Sequence, residues 1–388
     1  MSTYARKPVT FVSGSGVWLV SDQQDKYLDA LAGIAVCGLG HAHPDVSKAI
    51  ADQAATLIHT SNIYRIELQE KLAKKLCQLS TMDAAFFGNS GAEANEAAIK
   101  LARIYGHHRN IKEPAIIVME NSFHGRTMAT LTATGNRKAH AGFEPLVPGF
   151  VRTPYNDIEA VENILNNNVN ISAILVEPIQ GEGGINIPVS GYLSKLKALC
   201  ERHEILLILD EVQTGNGRTG KWFCFQHENI RPDVLVTAKG LGNGVPIGAC
   251  LATKEVAELF APGSHGSTFG GNPLACRAAI TTLETIENNH LIDNAASLGS
   301  YIVNELEAKL SSSPLIKEIR GKGLMIGIEL SVPCMELVNS CLEHKLLINV
   351  TAERVIRLLP PLIFDKSNAD TMINILVNCI EDFSTTQS

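Results

Sequence analysis

Short, uninterrupted apolar runs recur along this chain, each followed by a stretch with helical periodicity. That alternation constrains the fold more than any other feature. Residues 84–87, 115–119, 173–176, 205–209 and 234–237 read as buried strands, and residues 92–105 and 193–203 as helices between them. A strand that is apolar at every position is covered on both faces, and strands separated by helices run parallel. The expected fold is α/β, a mostly parallel central sheet with helices on both faces. Ligands in such folds gather at the carboxyl ends of the strands, so the polar residues that follow these runs carry the interest.

The ends of the chain read differently. Residues 1–45 hold Gly-rich turns and a short strand at 17–20. Beyond residue 286 an amphipathic helix is expected at 298–310, with short strands near 316–318, 321–330 and 355–359. The expected division is an N-terminal segment, 1–45, packing with a small C-terminal α+β domain, 287–388, around a large domain, 46–286. The net charge of −7 and the absence of Lys/Arg blocks argue against nucleic acid as a partner. Nine cysteines, an odd number with no C-x-x-C pair, fit a reducing compartment better than a disulfide framework or a zinc site. Ser13–Gly14–Ser15–Gly16 interrupts the one mildly apolar stretch near the N-terminus, which argues against a signal peptide, and no apolar run approaches the roughly 20 residues that span a bilayer. A cytoplasmic protein without membrane contact is the expectation.

Six segments could carry chemistry. In ILLILDEVQTG (205–215) an apolar strand ends on Asp210. A carboxylate there needs a partner: a protonated ring nitrogen, a buried arginine, or a helix N-terminus that it caps. In VLVTAKGLGNG (234–244) Lys239 follows a strand and precedes three glycines. It is either a loop lysine or, if buried, a nucleophile toward a carbonyl. FGNSGAE (87–93) is a strand, a turn and a helix start, where free N–H groups and the dipole suit phosphate; Ser90 alone also fits a plain N-cap. NSFHGRT (121–127) offers Phe123 for stacking and Arg126 for a carboxylate, with His124 packed or hydrogen-bonded rather than metal-bound. EPIQGEGG (177–184) sets Glu182 among glycines, and GSTFGGNP (266–273) offers the Ser267 and Thr268 hydroxyls. Each segment is weak alone. Together they supply a carbonyl-reactive lysine, a carboxylate for a ring nitrogen, a stacking ring, phosphate donors and arginines for carboxylates, the set that a pyridoxal 5′-phosphate (PLP) site needs.

These segments, with SGAEANEAA, LDEVQTGNGRTG, TAKGLGNGVPIGA and IRLLPPL, occur in the order found in one family. The chain resembles the class III, ornithine-type aminotransferases of PLP fold type I along nearly its whole length. The resemblance implies that Lys239 attaches the cofactor and moves protons, that Asp210 holds the pyridinium nitrogen protonated, and that Gln213 bonds the ring hydroxyl. It implies Phe123 against the ring, with Ser90, Gly91 and Ala92 on the phosphate. Thr268 would reach that phosphate from the other subunit of a homodimer. On the substrate side it implies Arg126, Ser267, Asn62 and Arg357, the last for the α-carboxylate of glutamate or 2-oxoglutarate. Glu182 would pair with Arg357 when an ω-amine is bound. HTSNIYR (59–65) with FHGR is most similar to bacterial members that transfer the δ-amino group of N-acetylornithine to 2-oxoglutarate in arginine biosynthesis. Succinylornithine and ornithine are the alternative donors. A decarboxylase or aminomutase would share Lys239 and Asp210 but not need the Arg126, Glu182 and Arg357 set. A non-enzymatic binding protein would not need Lys239. Asn216 and Asn243 depart from the family pattern, and Asn243 lies close enough to Lys239 to alter its turn.

Overall fold

The computed structural model describes residues 1–387. Its centre is a seven-stranded sheet in the order Ala84–Gly88, Gly248–Ala252, Val234–Thr237, Leu206–Asp210, Ile171–Val176, Ala115–Met119, Phe150–Thr153. Gly248–Ala252 runs antiparallel to both neighbours, and the remaining pairings are parallel. Alternate residues of the apolar strands enter two separate cores. Ile117, Met119, Ile174, Val176, Leu207 and Leu209 face one side. Ile116, Val118, Ala173, Leu175, Leu206 and Ile208 face the other. Both sets are covered, which is why these strands carry no polar alternation.

The second face is closed by helix Gly91–His108, whose Ala94, Ala97, Ala98 and Ala102 are fully buried. Small side chains let that helix lie close to the sheet, and its N-terminus sits over the strand edge. Helices Glu67–Ser80, Ile158–Asn167, Tyr192–His203 and Pro273–Asn288 cover the first face through residues such as Leu72, Val161, Leu196 and Leu283.

The two ends of the chain share a further core. Val17, Leu28, Leu39 and Val46 pack with Ile302, Ile328, Ile356, Leu358, Met372 and Leu376. Backbone pairing joins them as well, since Leu346–Leu347 runs parallel to Lys26–Asp29. An antiparallel sheet in the order Ile316–Lys322, Met325–Leu330, Val355–Leu358, Asn349–Thr351 lies under helices Leu291–Leu310 and Lys366–Gln387. Helix Pro273–Asn288 bridges the cores, with Leu283 in the sheet core and Ile286 in the terminal one. Among the described residues no helix is long and apolar enough to cross a membrane.

Two strands of the large sheet lie outside the apolar runs. Phe150–Thr153 is an edge strand and carries Arg152 and Thr153. Gly248–Ala252 is a run of small residues with low strand propensity, held by pairing on both sides. The first helix after residue 286 starts at Leu291 rather than 298, because its first turns carry Asp293 and Asn294 and hide the apolar period. Leu207, fully buried in the central strand, offers a test. Leu207→Ala lowers the unfolding free energy by about 2–5 kcal/mol, read from the urea midpoint, whereas exposed Val169→Ala leaves it within about 0.5 kcal/mol.

Candidate active site

Because the strands ending at Met119, Val176, Asp210 and Thr237 are parallel, their carboxyl ends open on one edge. A cavity of about 370 Å³ lies there, lined by Ser90–Ala92, Phe123, Arg126, Glu182, Asp210, Gln213 and Lys239 among others. Residues spread over nearly 150 positions of sequence are thus brought to one concave surface by the topology of a single sheet.

Asp210 sits at the closed end and is 4% exposed. Its Oδ2 accepts from His124 Nδ1 at 2.7 Å and Asn95 Nδ2 at 2.8 Å, and its Oδ1 accepts from the Val212 amide at 3.0 Å. No arginine meets it, so of the partners open from sequence it has neither the buried guanidinium nor a long helix to cap. These three donors satisfy both oxygens of the buried carboxylate. Asn95 also donates to the His124 carbonyl at 3.1 Å, which fixes the loop carrying the imidazole. His124 is packed and hydrogen-bonded, as its sequence context suggests, and serves Asp210.

Lys239 follows Thr237 and Ala238 with φ +46°, a left-handed conformation that non-glycine residues rarely adopt. Asn216 holds the preceding backbone through Nδ2, which donates to Thr237 Oγ1 at 3.0 Å and to the Ala238 carbonyl at 3.1 Å. Asn243, at φ +45°, lies in the same region of backbone space as Lys239. Its Oδ1 accepts from the Leu39 amide at 2.8 Å and its Nδ2 donates to the Gly40 carbonyl at 3.2 Å, so it pins the N-terminal segment to the lysine loop. Burial lowers the Lys239 pKa below its ordinary value, and Arg357 pushes the same way, while Glu182, Asp210 and Glu177 oppose it.

The turn before helix Gly91–His108 is built as expected. Ser90 is extended, and its Oγ accepts from the Glu93 amide at 3.2 Å. It is therefore an N-cap, and the cap aims the first N–H groups of the helix at the cavity. Gly91 is needed for packing, since a Cβ there would stand 2.8 Å from Val212 Cγ2. Phe123 is partly exposed to the cavity, and the exposed Arg126 guanidinium lies 5.4 Å from its ring centroid. No carboxylate among the described residues pairs with Arg126.

Arg357 is fully buried on strand Val355–Leu358. Its Nη1 donates to Glu182 Oε1 at 2.6 Å and to Gln213 Oε1 at 3.4 Å, and its Nε to Asn349 Oδ1 at 3.0 Å, while Nη2 is buried without a partner. Ser267, Thr268 and Asn62 are not in the main cavity. Asn62 Nδ2 donates to the Ser267 and Gly270 carbonyls at 2.9 Å, and Thr268 is exposed on the same loop. These residues surround or flank a separate hollow whose lining includes Asn62, Ser267 and His265.

Two functional positions carried no role in the sequence reading. Asn95 is a polar residue on the otherwise alanine-rich buried face of its helix, which is the signal that marks it. Glu177 follows an apolar strand as Asp210 does, and its carboxylate accepts from the Phe123 amide at 2.8 Å and the Gly181 amide at 3.1 Å.

The arrangement matches a known group. The family model for Aminotransferase class-III covers residues 2–380. The chain belongs to the class-III aminotransferases. It is 60% identical to the acetylornithine aminotransferase of Nitrosomonas europaea over 96% of this chain and 95% of that one. It is 48% identical to that of Aquifex aeolicus over 97% and 98%. Among solved structures, the ornithine aminotransferase of Toxoplasma gondii superposes with TM-score 0.96 at 34% identity, covering 100% of this chain and 93% of that one. An acetylornithine aminotransferase from Elizabethkingia anophelis gives 0.89 at 36%, covering 99% and 96%. The mostly parallel sheet with helices on both faces is the fold-type I architecture expected from the sequence, and this class-III member is an aminotransferase.

Two buried carboxyls of the site region allow a pH test. Burial pushes Glu177 up to about 7 against its two backbone donors, and Glu211 likewise to about 7 against the Cys224 and Phe225 amides and the Thr214 hydroxyl. Between the ordinary 4.5 and about 7 the folded chain keeps these protons while the unfolded chain releases them, so their contribution to stability falls as pH rises through that window. Glu211→Gln cannot ionise. Its urea midpoint therefore gains on that of the parent protein as pH rises through that window, from about pH 4.5 to about pH 7.5. A constant gap would contradict the assignment.

Proposed function

We propose that this aminotransferase moves the δ-amino group of N-acetylornithine to 2-oxoglutarate, giving N-acetylglutamate semialdehyde and glutamate, with pyridoxal 5′-phosphate attached to Lys239. The observation that carries the reading is the Glu182–Arg357 pair beside Lys239, a masked arginine at a site that must accept two different amines. The names of the relatives at 60% and 48% identity favour the acetylated donor. The solved ornithine aminotransferase at 34% keeps ornithine as the second reading, with succinylornithine beside it.

The cavity fits the cofactor. A buried, fully satisfied carboxylate stands at one end, a capped helix N-terminus at another, and a lysine of lowered pKa between them. When bound, the cofactor supplies an electron sink for the pair released as a substrate carbon loses its proton. In this reading Asp210, oriented by His124 and Asn95, would keep the ring nitrogen protonated. Gln213 would bond the ring hydroxyl, Phe123 would lie against the ring, and Ser90, Gly91 and Ala92 would hold the phosphate. Lys239, freed once the substrate amine has taken its place on the cofactor, would carry the proton from the substrate carbon to the adjoining one.

Arg126 holds the carboxylate at the far end of the acylated donor. Glu182 neutralises Arg357 while that donor reacts, then releases it to the α-carboxylate of glutamate or 2-oxoglutarate. The unpartnered Arg357 Nη2 is a donor for that second carboxylate. Thr268 does not line the cavity of its own chain, which supports a homodimer in which Thr268 of the partner subunit completes the phosphate site. Asn62 and Ser267 would then border the substrate entrance. We place the enzyme in the cytoplasm and divide it into a large domain, 46–286, with a small one built from 287–388 and the N-terminal segment, since the two ends share one core.

Steady-state rates with N-acetylornithine, N-succinylornithine, N-succinyl-diaminopimelate and ornithine test the substrate, and a higher kcat/KM for ornithine would overturn the acetylated choice. Lys239→Ala removes the absorption band of the attached cofactor and its shift on adding glutamate, and a band that persists would refute the attachment. Arg126→Ala lowers kcat/KM for N-acetylornithine by roughly 10²-fold, as expected for a lost charged pair, but spares a simple ω-amine without the carboxylate. Equal losses with both amines would count against the clamp.

A further inference from the structure

Glu182, the carboxylate partner of Arg357, stands on a short loop whose backbone is tied at every residue. The Gly181 amide donates to Glu177 Oε2 at 3.1 Å. The Glu182 carbonyl accepts from Thr351 Oγ1, and the Gly183 carbonyl from Asn186 Nδ2 at 3.1 Å. Arg320 takes the other end, with Nη2 donating to the Gly184 carbonyl at 2.6 Å and Nε to the Ile185 carbonyl at 2.9 Å. Gln180 and Asn186 close the base of the turn as an isolated antiparallel bridge. Only the Glu182 side chain is left to move, and it is 36% exposed while Arg357 opposite is fully buried.

Arg320 is itself held. Its Nη1 donates to Glu318 at 2.6 Å and Glu329 at 2.7 Å, and its side chain is 11% exposed. It lies on strand Ile316–Lys322, in the same small sheet that supplies Thr351 and Arg357. That sheet therefore delivers both the masked arginine and three of the ties on the loop that masks it, one from Thr351 and two from Arg320. Geometry decides the strength of a charged hydrogen bond to a buried arginine. A loop free to drift would have to be reordered each time the pair re-forms, at a cost in backbone entropy.

We propose that Arg320 is a positioning residue for substrate selection, clamping the 181–185 loop with Glu177 so that the gate works by rotation of the Glu182 side chain alone. The proposal rests on the reading of Glu182 and Arg357 given above. Its consequence is asymmetric. A loosened loop pairs Glu182 with Arg357 less often, which harms the half-reaction that needs Arg357 masked and spares the one that needs it free.

The test uses the cofactor-loaded enzyme, with Arg320→Ala and the milder Arg320→Lys, which keeps the charge but offers no fork for two carbonyls. Hydrogen exchange is followed in the 181–186 backbone, and single-turnover rates are measured with N-acetylornithine and with glutamate. In Arg320→Ala, exchange in that segment accelerates roughly tenfold or more, as expected when a local tie is lost. The N-acetylornithine half-reaction slows by about tenfold while that with glutamate stays within about threefold. Arg320→Lys shifts both readouts the same way by less, and carries the test alone if the alanine variant does not fold. Unchanged exchange, or equal slowing of the two half-reactions, would overturn the clamp. If the unaltered enzyme shows no turnover of N-acetylornithine, the proposed function fails instead, and the exchange rates alone decide the clamp.

Discussion

A carboxylate at the end of a strand covered on both faces is the constraint around which this molecule is arranged. Left without partners in an apolar interior, such a group is costly. At Asp210 three donors from three elements meet that cost: Asn95 from the helix over the sheet, His124 from the loop after Ala115–Met119, and the Val212 amide from its own turn. Those donors fix the helix, the loop and the turn relative to one another. The helix N-terminus at Ser90, Phe123 and Gln213 are thereby positioned by the same contacts.

Two further carboxyls stand close by. Glu177 and Glu211 are both buried with backbone donors, and burial carries them up to about 7. Lys239 completes the balance from the cationic side, since burial and Arg357 lower its pKa while the surrounding carboxylates raise it. The charges of the site are thus mutually dependent, and the Glu182–Arg357 pair is part of that balance.

Much of this was legible in the residue order. Continuous apolar runs announce strands buried on both faces, and the strand core, the position of Asp210 and Lys239, and the capped turn at Ser90 follow from local pattern. The edge strand Phe150–Thr153 and the small-residue strand Gly248–Ala252 were not legible, because pairing to neighbours rather than side-chain pattern makes them strands. Asn95 and Glu177 were missed for a related reason. Each is defined by what stands opposite it across a long gap in sequence, as Arg320 is at the loop carrying Glu182.

The sequence by itself determined the α/β class, the family and the identity of nearly every side chain around the cavity, since those depend on residue type and on order along the chain. Only the tertiary structure decided which partners those side chains have. Asp210 turned out to be held by His124 and Asn95 rather than by an arginine, and Asn243 to tether Leu39 and Gly40. It also separated Thr268 and Asn62 from the cavity of their own chain. Hydrogen bonds and ion pairs act over a few ångströms, and which residues come that close is set by how the sheet, its helices and the terminal core pack together.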